Sequence, residues 1–269
     1  MADAEPHPSS TDASAAARRA RGFGTVDPET TIVAPDAVGR VLVVTAHPDD
    51  VDFGAAGSVA AYTKAGVAVA YCIVTDGDAG GSDRAMSRAA MAALRREEQR
   101  AAAAEVGVED VSFLGYPDGR VVPSLELRRD ISREIRRFRP DRVVCPSPER
   151  NWDRIVASHP DHLAAGEATV CAVYPDARNP FAHPELLDEG HEPFAVPELW
   201  LMASPLSNRA VEITDTFDQK LRALRCHRSQ VGDGEHLEGL LRGWFGPQAQ
   251  ALGLPEGHYA ELFRAVDSG

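Results

Sequence analysis

Lysine is nearly missing from this chain: Lys64 and Lys220 are the only two among 28 basic residues, and acid exceeds base to leave a formal net charge of −13. Nucleic acid and anionic membrane surfaces are held by clustered Lys and Arg, so the balance excludes both as partners and leaves a small molecule open. The bias toward arginine carries no functional weight of its own. Cysteine is also scarce. Cys72, Cys145, Cys171 and Cys226 lie far apart with no CxxC pair. That excludes a disulfide framework and points to a reduced, cytoplasmic setting. No apolar run approaches the roughly 20 residues of a membrane span, and the N-terminus has no apolar core of a secretion signal. No internal repeat is present. Residues 1–28, rich in Ala, Ser, Asp and Pro, predict a disordered or loosely attached leader. Residues 29–269 then predict a single domain.

What is present alternates. RVLVVTA (40–46), VAVAYCIVT (67–75), VEDVSFLG (108–115) and DRVVCPSP (141–148) are apolar runs of buried-strand length. Between and after them, residues 55–66, 85–106, 125–138 and 159–174 carry helical patterning, with Gly66 and Gly107 placed as stops. LWLMAS (199–204) and RAVEITD (209–215) predict later strands, and residues 216–230 begin as a helix. Such alternation predicts an α/β fold: a Rossmann-like, doubly wound, mostly parallel sheet with helices on both faces. The polar, Pro-rich stretch 175–197 predicts an insertion or flap lining the pocket.

Ligands of such sheets bind beyond the strands' carboxyl ends. Four polar segments fall there: HPDD (47–50), DGDAGG (76–81), YPDG (116–119) and SPERNWD (147–153). A further motif, SHPDHLAAGE (158–167), opens a helix, with Pro160 suited to its first position and Asp161 to its positive end. His159 and His162, three apart, can face the same direction. One His and one Asp from the first loop with one His from this helix make a His₂Asp set, the donor number of a catalytic zinc site with an open position. Fe²⁺, Co²⁺, Mn²⁺ or Ni²⁺ suit the same donors. Either motif alone is equally a capped turn; the two together point to a metal. A nucleotide site at GAAGS is excluded: its spacing is not GxGxxG, and Asp49, Asp50 and Asp52 stand where a pyrophosphate wants positive potential.

AHPDD, TDGDAGG, R-x-x-E (Arg95, Glu98), LGYPDG and HPDH, in this order, resemble the LmbE-like or PIG-L family of zinc-dependent N-acetylglucosaminide de-N-acetylases. The likeness runs from about residue 40 to residue 230. It implies His47, Asp50 and His162 as zinc ligands, Asp49 as general base, and His159 as the acid or oxyanion stabiliser. It implies contacts to an amino-sugar substrate from Arg95, Asp78, Asp118 and His227, and a homo-oligomer, trimer or hexamer. Each of the four contacts has a plainer alternative: ion pairs on a helix face, turn formation or a helix-end cation. Two departures stand out. Ala157 occupies the position of a tyrosine that helps polarise the carbonyl in some relatives, and Val51 replaces a common glutamate.

Overall fold

The computed structural model describes residues 25–269 except Ser82. The predicted α/β sheet is present, with eight strands among the described residues in the order β1-β7-β8-β6-β5-β2-β3-β4. They are β1 (Thr25–Ile32), β2 (Arg40–Thr45), β3 (Ala68–Thr75), β4 (Asp110–Tyr116), β5 (Arg142–Pro146), β6 (Glu198–Met202), β7 (Leu206–Glu212) and β8 (Ala260–Asp267). All pairings are parallel except those of β8, which runs antiparallel between β6 and β7.

Period-two alternation decides which side chain enters which core. Val41, Val43, Tyr71 and Ile73 pack on one face; Leu42, Val44, Cys72 and Val74 pack on the other. Both faces are covered. Helices α1 (Asp50–Gly54), α2 (Ala56–Lys64) and α3 (Arg88–Glu105) precede β4. Between β4 and β6 lie α4 (Leu125–Phe138), α5 (Pro160–Cys171) and the single turn α6 (Glu185–Asp188). After β7 come α7 (Phe217–Cys226), α8 (Arg228–Val231) and α9 (Leu237–Ala251). Helix α4 is the clearest from sequence: Ser124 caps it by accepting the Leu127 N–H, and Leu127, Ile131 and Ile135 form one fully buried stripe.

Residues 25–28, expected in the leader, open β1, whose Thr25 and Val26 pair with β7; residues 1–24 lie outside the described residues. The 175–197 stretch, expected as an insertion or flap, packs against α4. Arg136 of α4 donates to the carbonyls of Asp176, Ala177, Asn179 and Ala182, while Arg128 grips the Asp176 carboxylate. Ala177 and Val196 are buried in the α4–α5 core, and Leu186 is buried as well. Arginine donors and this apolar contact fold the polar stretch into a wall of the domain.

The chain leaves β2 toward β3 on one side and β5 toward β6 on the other, so the sheet's direction of growth reverses between β2 and β5. A crevice opens at the carboxyl ends of this pair. HPDD follows β2, and the loop leading to α5 follows β5.

Candidate metal centre

His47 hangs from the end of β2, and its ring is the hub of the site. Its Nδ1 lies 3.2 Å from His162 Nε2 and 3.5 Å from Asp50 Oδ2, while Asp50 Oδ1 is 2.9 Å from His162 Nε2. A tetrahedral zinc with bonds of about 2.0–2.2 Å separates its donors by roughly 3.3–3.6 Å. The three groups therefore stand close to the spacing an ion needs. The donor set fits a divalent transition metal. His159 also brings a ring nitrogen near those of His47 and His162.

The other edge of the His47 ring is held by carboxylates. Its Nε2 is 3.2 Å from Asp161 Oδ2 and 3.1 Å from Asp118 Oδ1. Asp161 accepts the backbone N–H groups of Gly119 and Val121, and Asp118 accepts that of Ala79. Charged acceptors on Nε2 leave the lone pair on Nδ1, turned toward His162 and Asp50. Sequence reading gave Asp161 only a role at the helix's positive end; an acid flanked by two histidines at a helix start was the available signal for its contact with His47. In the metal-free chain, hydrogen bonds to Asp118, Asp161 and Asp50 overcome burial and push His47 up to about 12. Burial resists charge on Asp50, yet His162 and His47 hold its carboxyl well below the ordinary range.

Asp49 sits in a strained turn. Its φ is +86°, a conformation that non-glycine residues rarely adopt. The turn is over-determined by its surroundings: the Asp49 N–H donates to Gln99 Oε1 at 2.8 Å, and its carbonyl accepts from Asp52 and Phe53 as α1 begins. Its carboxylate accepts from Arg95 at 2.9 Å. Burial, with Asp50 adjacent, pushes the Asp49 carboxyl up to about 7 against the pull of Arg95, His227 and His47.

Arg95, expected at the substrate, is 3% exposed and donates to the Pro48 and Gly77 carbonyls as well as to Asp49. The glycines of DGDAGG make room for it. A Cβ on Gly77 or Gly80 would stand 2.3 or 2.5 Å from an Arg95 nitrogen, too close to fit. His227 is fully buried and bonds Asp52 Oδ2 at 2.8 Å. Asp78 pairs with Arg88 and accepts the Asp118 N–H. Glu98 accepts from the Ser229 backbone and hydroxyl, fastening α8 to α3.

His159 is the exposed partner. It caps α5, accepting the Asp161 N–H on Nδ1 at 3.2 Å, which places the proton of a neutral ring on Nε2. Burial and the neighbouring His47 and His162 lower its pKa and favour that neutral form. Its ring centre is 5.0 Å from that of His47.

Residues 42–173 match the family model described as PIG-L: GlcNAc-PI de-N-acetylase. Diacetylchitobiose deacetylase of Thermococcus kodakarensis is 32% identical over 85% of this chain and 84% of its own. The chain belongs to the PIG-L family. A probable N-acetyl-alpha-D-glucosaminyl L-malate deacetylase 2 of Bacillus anthracis is 31% identical, covering 71% of this chain and 81% of that protein. Among solved structures, N,N'-diacetylchitobiose deacetylase from Pyrococcus horikoshii, complexed with its inhibitor MPG, superposes with a TM-score of 0.80 at 29% identity, covering 98% of this chain and 96% of that one. These PIG-L relatives are named as deacetylases of N-acetylglucosamine-containing sugars.

Proposed function

We propose that this chain is a metal-dependent N-deacetylase of a small 2-acetamido sugar, with the ion held by His47, Asp50 and His162. The observation that carries the reading is the close approach of those three side chains: His47 Nδ1 lies 3.2 Å from His162 Nε2, and the two oxygens of Asp50 reach His47 Nδ1 at 3.5 Å and His162 Nε2 at 2.9 Å. Two imidazoles and a carboxylate suit zinc first. When bound, the ion supplies Lewis acidity, polarising the amide carbonyl and lowering the pKa of a water from about 15.7 toward about 7.

The chain's own groups supply the proton chemistry. Arg95 occupies Asp49 Oδ2, which leaves Oδ1 to take the proton of the attacking water. A carboxyl poised near 7 can also return that proton to the amine as the C–N bond breaks. The His159 Nε2–H donates toward charge developing on the carbonyl oxygen. With alanine at 157, no tyrosine at that position shares this task. Asp118 and Asp161 keep His47 in the tautomer the ion needs.

A non-catalytic sugar-binding protein would need neither the strained turn at Asp49 nor the buried Arg95 that braces it. The four free cysteines support a reduced, cytoplasmic setting, and a homo-oligomer completes the proposal. The test is acetate release from a panel of N-acetylglucosaminides with and without chelator. Chelator-sensitive release supports the reading; no release from any member of the panel refutes it.

A further inference from the structure

We infer that His227 and Gln230, at the corner between α7 and α8, are positioning residues that hold Asp49 from its two sides. This inference rests on the assignment of Asp49 as general base and adds residues that act on it through others.

Asp49 has two groups to be fixed, its N–H in the strained turn and its carboxylate. The N–H is reached through three side chains. His227 Nε2 donates to Asp52 Oδ2 at 2.8 Å, the same oxygen accepts Gln99 Nε2 at 2.9 Å, and Gln99 Oε1 accepts the Asp49 N–H at 2.8 Å. All three side chains are fully buried. A backbone at φ +86° persists only where its surroundings over-determine it. This chain of bonds ends on that backbone.

The carboxylate is reached from the other side. Arg95 donates to it and is held against the glycine loop 76–81 through the Gly77 carbonyl. Gln230 lies on the same loop. A Cβ at Gly80 would stand 2.5 Å from Arg95 Nη1 and 2.9 Å from Gln230 Oε1, so guanidinium and carboxamide close on one bare backbone position. The neighbouring residue aims Gln230 there: its Nε2 donates to Ser229 Oγ at 2.9 Å, and Ser229 is fastened to Glu98, three residues beyond Arg95 on α3. The Gln230 and Val231 N–H groups both donate to the His227 carbonyl, so ring and carboxamide leave a single tight turn.

Packing alone does not call for these groups. A buried charged pair returns little stability over apolar residues of the same volume, because both partners lose their water. What an apolar pair cannot do is orient the Gln99 amide. The Asp52 carboxylate takes its NH₂ end, which leaves its oxygen for Asp49, and His227 keeps that carboxylate in place.

The test compares acetate release from N-acetylglucosaminides by the parent, His227→Leu, His227→Gln and Gln230→Leu, each also in the Asp49→Asn background. His227→Leu should lose kcat by about ten- to a hundredfold, the scale of a small misplacement of a reacting group, with KM and metal content unchanged. His227→Gln, which offers an N–H donor in place of the ring's, should restore most of that loss. Gln230→Leu should lose kcat by about three- to tenfold. In Asp49→Asn neither leucine variant should lower kcat further, because the group they position is already gone. Arg228→Ala, exposed on the same turn, is the control and should match the parent. Equal losses in both backgrounds mean a structural role and overturn the inference, as does parental kcat in His227→Leu; if that variant does not fold, Gln230→Leu decides by the same comparison. Amide hydrogen exchange at residues 49–53 should be faster in both leucine variants than in Arg228→Ala. A parent that releases no acetate from any compound refutes the deacetylase reading, and exchange then judges the clamp by itself: unchanged exchange overturns it.

Discussion

The side-chain amide of Gln99 spans the turn that carries Asp49: its Oε1 accepts the Asp49 N–H at 2.8 Å while its Nε2 donates to Asp52 Oδ2 at 2.9 Å. One fully buried amide thus holds Asp49 at φ +86° and ties that turn to the Asp52–His227 pair behind it. Replacing Gln99 with leucine leaves the Asp49 N–H without its acceptor, a cost of about 1–3 kcal/mol, and removes one of the donors to the Asp52 carboxylate. Melting temperature should fall, and kcat should drop by about ten- to a hundredfold with KM little changed. Steady-state kinetics beside thermal unfolding check this. Unaltered kcat in a destabilised variant would show that the amide only supports the fold.

Asp49→Asn should keep its metal and lose activity on the order of 10²-fold or more, the usual cost of a missing general base. Kinetics and elemental analysis on the same preparation decide it. Near-normal turnover would remove Asp49 from the proton chemistry.

A second buried pair supports the site from below. Lys220 and Glu261, both fully buried, meet at 2.7 Å; Lys220 also donates to the Asp52 and Phe53 carbonyls, and Glu261 accepts from the start of α2. Lys220→Met leaves an uncompensated buried carboxylate and should cost about 3–5 kcal/mol, whereas joining it with Glu261→Leu should recover much of that loss. Urea unfolding of the single and double variants measures the difference. A double variant no better than the single would locate the cost in lost carbonyl contacts instead.

Acid stability offers a check remote from the metal. Burial opposes charge on Asp130, but hydrogen bonds from Tyr116, Arg133 and Arg129 lower its pKa below the ordinary 3.8. A depressed folded-state pKa adds stability that is complete above the unfolded value and is lost as pH falls through the folded one. Asp130→Asn should therefore be less stable than the parent at pH 7, and the gap should close as pH falls below about 4. A gap independent of pH would contradict the ionic origin.

Sheet class is visible in the sequence because it has a local cause. Buried parallel strands such as 40–46 read as continuous apolar runs, and α4 is bounded by its own serine cap and apolar stripe. Edge strand β1, TVDPETTI, is polar and contains proline, so nothing local marks it; its pairing with β7 is decided across the fold. Helix α9 carries Pro247 and three glycines, poor helix formers, and is held by packing of Leu241 and Phe245. The roles of Arg95 and His227 turn on side-chain direction, which spacing does not encode: one braces Asp49 and the other pairs with Asp52. Gln99 gives no signal at all, since an amide on an amphipathic helix looks like any polar residue.

The central claim is that His47, Asp50 and His162 hold one divalent ion between them. Metal content per chain, measured by mass spectrometry on the purified protein and on His47→Ala, Asp50→Ala and His162→Ala, tests it most directly. The account predicts a single equivalent in the parent and near-complete loss in each variant, with folded secondary structure retained. A parent that binds no divalent metal, or a folded variant that keeps a full equivalent, contradicts it.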